Sequence, residues 1–574
     1  MSSTSTSAAK SPPHLQRTKT SSQLIVKGKH FLMLAGELHN SSLSSAKYMS
    51  TIYPTMRHMS LNTLLGALTW ELIEPVEGTF TFAELDACIH GAREQGLHLV
   101  LLWFGSFKNA LSTYVPGWVK TDVNRFPHAH VKDDMGRLKT TELVSPFCEE
   151  AVAADARAFA ALMTHVKEID GEHSTVLMVQ VENEPGLLGD SRDRSRIADK
   201  KFAEPVPTDL MEYMESQRTL HPMFEKRWPD FQQSLKLCKN RSWEDVFGPG
   251  IAAEELFMAD VFARYVGRVA AAGRKEYDIP LYANCWLNTD DPSVLDLTGI
   301  PLGEGAPTVA GGGAKLGVYP SGGSVLHVLD IWNCHTVDKG ALDFVALDLY
   351  LHDYEWINQQ YRYRDRPLFI PEQKADDAGM RRTWLAYGTY GCIGCSPFGI
   401  DTVNMDEGEM NGWRRTYGLL GKMSSRILQA QAERPEDMFG FFFDEVDIKK
   451  TGKEQWRRTF KDIDMEVTVE RSFVFGRPAP GYEIVLHEGD SKFLLTGAGF
   501  QTTHFVGDEK EVDEVGNLST LRTMNGDETR SGACMTMPTE QPDYGGFPIR
   551  VTIPARTYVA EVVVYSLEEK EEHF

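Results

Sequence analysis

The chain is predicted to be α/β, a (β/α)8 TIM barrel with a C-terminal β-sandwich domain, on three observations. Short apolar strand patterns alternate with helical ones from about residue 23 to 425, which marks β/α units around a parallel sheet. Eight such strands can be counted. Beyond Glu433 the pattern changes to short alternating runs between Gly, Asp and Pro turns, such as Arg471-Ser472-Phe473-Val474-Phe475 and Ala560-Glu561-Val562-Val563-Val564-Tyr565, the pattern of a sandwich.

The strands are read at Phe31 to Leu34, Thr63 to Trp70, Leu97 to Trp103, Val176 to Glu184, Ile279 to Asn284, Phe344 to Tyr350, Pro367 to Glu372 and Gly391 to Phe398. Apolar residues at helical spacing lie between them. Ile52, Met56 and Met59 do so after the first strand, Leu85, Cys88, Ile89 and Ala92 after the second, and Phe262, Val266 and Val269 before the fifth. Long insertions are expected at Gly186 to Gly250 and at Pro301 to Gly323, where loops of a barrel shape a substrate pocket. No repeat of about 20 to 50 residues is present. At 574 residues the chain exceeds one core. The expected division is a disordered tail over 1–22, a barrel over 23–432 and a sandwich over 433–574.

A formal net charge of −22, from 59 basic and 81 acidic side chains, argues against nucleic-acid or membrane-surface partners, which draw on basic patches. A neutral substrate fits better. The eight cysteines lack the dense spacing of a disulfide framework, and residues 1–22 lack the apolar stretch of a secretory signal. No run approaches the ~18 apolar residues of a membrane span. The expectation is a cytoplasmic protein, with secretion by another route left open and Asn-x-Ser sequons at Asn40, Asn240 and Asn517 given no weight. Homo-oligomerisation stays open.

The chemistry is carried by two strand ends. Gln180-Val181-Glu182-Asn183-Glu184-Pro185 closes the fourth strand on an amide and a carboxylate, and Pro367-Leu368-Phe369-Ile370-Pro371-Glu372 closes the seventh on a glutamate. Glycosidic cleavage needs a protonated acid for the leaving oxygen and an ionised group facing the oxocarbenium centre. In a closed barrel, ends of well-separated strands converge at the C-terminal face. Glu184 and Glu372 are therefore the expected catalytic pair, with no cofactor and no metal.

Ala35-Gly36-Glu37-Leu38-His39, Leu61-Asn62-Thr63, Trp70, Glu74-Pro75-Val76-Glu77-Gly78 and Val179-Gln180-Val181-Glu182-Asn183-Glu184 together resemble family 35 of the glycoside hydrolases, the β-galactosidases. Phe493-Leu494-Leu495-Thr496-Gly497-Ala498-Gly499-Phe500 is similar to the β-domain of a distinct subgroup. The resemblance implies a retaining exo-β-glycosidase releasing terminal β-D-galactose, with Asn183 contacting the sugar 2-hydroxyl, Glu184 as acid/base, Glu372 as nucleophile and Tyr350 orienting Glu372. One departure matters. The family reads Asn-Ala-Glu after the third strand, whereas this chain reads Asn109-Ala110-Leu111, and Leu111 cannot accept a hydroxyl hydrogen bond. β-Glucoside, β-xyloside or α-L-arabinopyranoside cleavage by the same two glutamates, a transglycosylase, or an inactive carbohydrate-binding barrel are the alternatives.

Asn109, Glu37 and Trp70 are the remaining expected substrate contacts, each against a bland reading. Glu37 and His39 can instead brace the first strand, and tryptophan is more often core. Cys392-Ile393-Gly394-Cys395 is read as buried thiols, His128-Ala129-His130 as a loop, and Gly311-Gly312-Gly313 as a flexible loop with no phosphate-cradle frame.

Overall fold

The computed structural model describes residues 11–133, 135–231, 241–287, 320–402, 408–444, 453, 455–460, 465–471, 480–489, 492–506, 517–523, 551–553 and 559–566. Barrel strands run over Met33–Glu37, Thr63–Thr69, His98–Lys108, Val176–Asn183, Leu281–Ala283, a sixth in two pieces at Phe344–Val345 and Asp348–Leu349, then Ile370–Gln373 and Gly394–Pro397. All neighbours pair parallel. The sixth strand closes the ring: Phe344–Val345 pairs with the fifth strand and Asp348–Leu349 with the seventh. All eight expected strands are present, with ends shifted by a few residues. The first shifts most usefully, since its C-terminal residue is Glu37.

Two apolar layers hold the barrel. Its lumen is filled by Met33, Ala35, Leu65, Val100, Leu102, Phe104, Met178, Tyr282, Phe344 and Phe369. The outer layer packs sheet on helices, where Leu85, Cys88, Ile89 and Ala92 are the buried stripe of helix Ala83–Glu94 and Phe262, Val266 and Val269 that of Ile251–Glu276. The helical spacing read in the sequence is thus the core-facing stripe.

The expected tail is ordered where it is described. His14–Arg17 pairs antiparallel with Ser22–Val26, and Ser21 N–H donates to Thr18 Oγ1 at 3.0 Å in the turn between them. Leu24 and Val26 join the lumen layer, so this sheet stoppers the N-terminal end and leaves the other end as the mouth. The insertion after the fourth strand carries short helices at Arg196–Phe202, Thr208–Ser216, Pro222–Arg227 and Trp243–Phe247. Of the second insertion only 320–323 are described, and Ser321 bridges to Leu187; Gly311-Gly312-Gly313 lies outside the described residues. His128 and His130 are on strand His128–Lys132 of a hairpin with Leu138–Val144 rather than in a loop. The reason is the alternating pattern, which buries Ala129 and Val131.

The C-terminal region forms two antiparallel sheets facing each other across Phe439, Phe441, Phe443, Phe460, Val467, Val469, Val485, Phe493 and Phe500, the expected sandwich. Among the described residues no helix is long and apolar enough to cross a membrane, and no group of three or more His, Cys, Asp or Glu side chains is placed to hold a metal ion. Cys392 and Cys395 are buried thiols with sulfurs 3.7 Å apart.

Candidate active site

Two backbone irregularities aim the side chains. In a regular strand Gln180, Glu182 and Glu184 would share the face of Met178, which lines the lumen. Glu182 instead adopts φ 62° and Glu184 φ 44°, left-handed conformations that cost a non-glycine residue about 1–2 kcal/mol each. The phase flips at Glu182. Its side chain turns outward to Asp155 on helix Glu149–Asp170, while Asn183 turns inward to Glu372. The third strand slips register against the fourth between Trp103 and Lys108, which swings Lys108 inward. Backbone hydrogen bonds Asn109 N–H to Asn183 O at 3.2 Å and Ala110 N–H to Glu184 O at 3.1 Å fasten the two distorted ends together.

Glu372, 6% exposed, is gripped from two strands. Tyr350 donates its hydroxyl to Glu372 Oε2 at 3.0 Å, and Asn183 Nδ2 lies 3.5 Å from Oε1. Lys108 Nζ donates to Asn183 Oδ1 at 3.0 Å, so the amide can present only its NH2 to the carboxylate. Glu184, 7% exposed, is set by its main chain: its N–H donates to Asn284 Oδ1 at 2.8 Å. Asn284 Nδ2 donates to Asp348 Oδ2 at 2.6 Å.

Among the described residues the pocket is crowded with acids, with Lys108 the cation beside them. Burial, then the charge of Glu372, pushes the Glu184 carboxyl up to about 7. Burial and Glu372 likewise raise Glu37 and Asp348 well above the carboxylate range, and Lys108 opposes the shift at Glu37 and Glu184. Neither oxygen of Glu37 has a hydrogen-bond partner among the described residues, and Gln180 Nε2 and Tyr282 OH are likewise unmatched. Buried polar atoms left unpaired cost about 1–3 kcal/mol each, so this cup favours a ligand rich in hydroxyls.

Of the residues expected at the site, the barrel brings together Glu184, Glu372, Asn183, Tyr350 and Glu37. Asn109 lies exposed at the rim with φ 52°. Trp70 is a correction. It opens helix Trp70–Ile73, is fully buried, packs edge-on against Trp118 at 5.7 Å and donates Nε1 to Glu74 Oε2 at 2.7 Å, which leaves no face for a sugar. Sequence reasoning missed Lys108, Asn284 and Asp348. Asp348 stands two residues before Tyr350, a same-face spacing that could have flagged it, whereas Lys108 depends on a register slip that no local pattern announces.

A family model described as β-galactosidase, that of glycoside hydrolase family 42, matches residues 41–233. The likeness is to family 42 rather than family 35. The matched segment contains the second, third and fourth strands with Lys108, Asn183 and Glu184, and a second model, described as a domain of unknown function, DUF5597, matches residues 413–536. No curated protein matches the sequence. Among solved structures, a β-galactosidase from Bacillus circulans sp. alkalophilus is 14% identical with TM-score 0.45, covering 69% of this chain and 57% of its own. A β-galactosidase from the haloarchaeon Halorubrum lacusprofundi is 15% identical with TM-score 0.43, covering 73% and 64%. The catalytic domain of a β-amylase from Paenibacillus polymyxa is 12% identical with TM-score 0.42, covering 67% and 97%. This chain thus spans less than two thirds of the length of either β-galactosidase.

Proposed function

We propose that this chain is a retaining exo-β-glycosidase of the β-galactosidase type, with residues 23–432 as its catalytic barrel and 433–574 as a bracing sandwich. The observation that carries the reading is the meeting of the fourth- and seventh-strand ends in one buried cup, where Asn183 and Tyr350 both hold Glu372 beside a Glu184 kept protonated toward neutral pH. Glu372 attacks the anomeric carbon while Glu184 gives its proton to the leaving oxygen. Burial still raises Glu184, but with the Glu372 charge consumed in the glycosyl ester the like-charge contribution to its high pKa disappears. Glu184 then takes a proton from the water that resolves the intermediate. Glu37, its oxygens unpartnered among the described residues, accepts from sugar hydroxyls.

Galactose is the proposed sugar, and the family 42 match favours it over glucose, xylose or arabinopyranose. A panel of nitrophenyl glycosides tests this: dominant turnover of another sugar overturns the galactose assignment, and binding without turnover at any pH from about 4 to 8 overturns the enzyme. For the mechanism, Glu372→Ala with azide is expected to yield an α-glycosyl azide. Undiminished activity in that variant would remove Glu372 from the reaction.

A further inference from the structure

Asp348 has no role in the scheme above, yet it touches both halves of it. It stands with Tyr350 on the lumen side of the sixth strand, Leu349 between them packing into the outer core. Its Cα is paired with that of Glu372, and its backbone bridges to Trp286 beyond the fifth strand. Asn284 accepts the Glu184 N–H with Oδ1 and donates to Asp348 with Nδ2, so one amide clamps the two acids together. Their carboxyl groups lie within hydrogen-bonding reach of each other.

Two carboxyl oxygens in contact away from water need a proton between them, and Asp348 Oδ1 finds no other donor among the described residues. The groups facing Asp348 decide which acid supplies it. Burial first, then Glu372 from the seventh strand, Glu184 from the fourth and Glu37 from the first, all disfavour its charge. The hydroxyls of Tyr282 on the fifth strand and Tyr361 on helix Tyr354–Tyr361 are neutral neighbours. Lys108 on the third strand acts on Glu37 and Glu184 and is bonded to Asn183.

We propose that Asp348 is a positioning residue for Glu184: a carboxylic acid that stays neutral through the cycle and donates its hydrogen to the Glu184 carboxylate. This rests on the reading of Glu184 as acid/base. Glu184 gives up its proton to the leaving oxygen and regains one from water, while Asp348 keeps its own. The donated hydrogen bond stabilises Glu184 in the ionised form that deglycosylation needs and holds its oxygens in register with the incoming water.

The test is the pH profile of kcat/KM, with kcat on an aryl glycoside whose good leaving group makes deglycosylation limiting. Asp348→Asn, which keeps a neutral donor, is expected to leave the alkaline limb within about 0.3 unit of wild type. Asp348→Ala is expected to move that limb up by about one unit and lower kcat roughly tenfold, with azide, which needs no base, restoring turnover. A downward move of about one unit in Asp348→Asn would mean that Asp348 is charged and overturns the proposal, even if the alanine variant fails to fold. Equal loss at every pH in Asp348→Ala without azide rescue also overturns it, leaving Asp348 a structural residue. Failure of the acid/base reading itself has a separate mark: Glu184→Gln would keep full activity on substrates with poor leaving groups.

Discussion

Burial, then the charge of Glu372, raises the Glu184 carboxyl, while Tyr350 and Asn183 hold Glu372 beside it. With Glu184 as the proposed acid/base, a carboxyl at about 7 is expected to set the alkaline limb of kcat/KM near neutrality, since the free enzyme would need the proton that it loses above that pH. The same shift acts on stability. The folded value lies above that of the unfolded chain, so the protonation contribution is complete below the unfolded value of about 4.3 and is lost as pH rises through about 7. Glu184→Gln removes the buried charge without removing the shape. It is expected to be more stable than wild type at pH 8 by on the order of 3 kcal/mol and about equal at pH 4, as read by thermal denaturation at both pH values. Equal gains at both would assign the effect to packing. At this scale the gathering of the two glutamates, Asn183 and Tyr350 around one cup was legible because each stands at or beside a strand end. Trp70 was not, because a strand-end aromatic looks the same whether its indole faces a sugar or, as here, Glu74.

Between residue and fold lies the distorted pair of third and fourth strands. Beneath Lys108 and Asn183, Glu182 accepts from Phe107 N–H at 2.6 Å, while Asp155 accepts from Trp103 Nε1 at 2.9 Å and from Ser106 N–H at 3.0 Å. Asp155 and Glu182 share a hydrogen bond of their own, and burial keeps Glu182 protonated well above the usual range. Gly105 is the residue that makes room. A Cβ there would stand 2.4 Å from Trp103 Nε1 and 2.7 Å from an oxygen of each acid, and none of these can retreat without abandoning its partner. Gly105→Ala is therefore expected to cost about 3 kcal/mol in chemical denaturation. It should also depress kcat about 100-fold through misplacement of Lys108 and Asn183, the usual penalty of roughly 1 Å displacement at a reacting centre. Wild-type stability would show that the network tolerates the methyl. Sequence alternation located both strands but could not reveal where they stop alternating, because a left-handed Glu182 is stabilised by partners 27 or more positions away.

At the scale of the molecule, the sandwich leans on the helix that follows strand Ile370–Gln373, which carries Glu372. Helix Asp377–Gly388 presents Trp384, fully buried, to Tyr482 at 5.2 Å. Strand Met438–Phe443 crosses the same helix so closely that a Cβ at Gly440 would fall 2.0 Å from Trp384 O, and one at Gly388 would fall 2.5 Å from Gly440 N. Thr389 ties the crossing with its hydroxyl, which donates to Gly440 O at 2.7 Å and accepts from Gly440 N–H at 3.0 Å. The change of pattern near Glu433 marks the sandwich in the sequence, but this seam is invisible there, because a glycine meeting a glycine has no hydrophobic periodicity. The consequence is mechanical. Gln373, next to Glu372, donates Nε2 to Thr383 Oγ1 of that helix at 2.8 Å and accepts from Tyr354 OH at 2.9 Å, so a helix displaced from the sandwich drags on the strand of Glu372. Trp384→Ala deletes the largest side chain of the seam and is expected to cost about 3–5 kcal/mol, splitting a single calorimetric transition into two as the sandwich loses its support. Activity measured below the first transition should fall through kcat while KM stays near wild type, because the proposed sugar contacts lie on other strands. A single transition with unchanged kcat would show that the sandwich and the strand of Glu372 are mechanically independent.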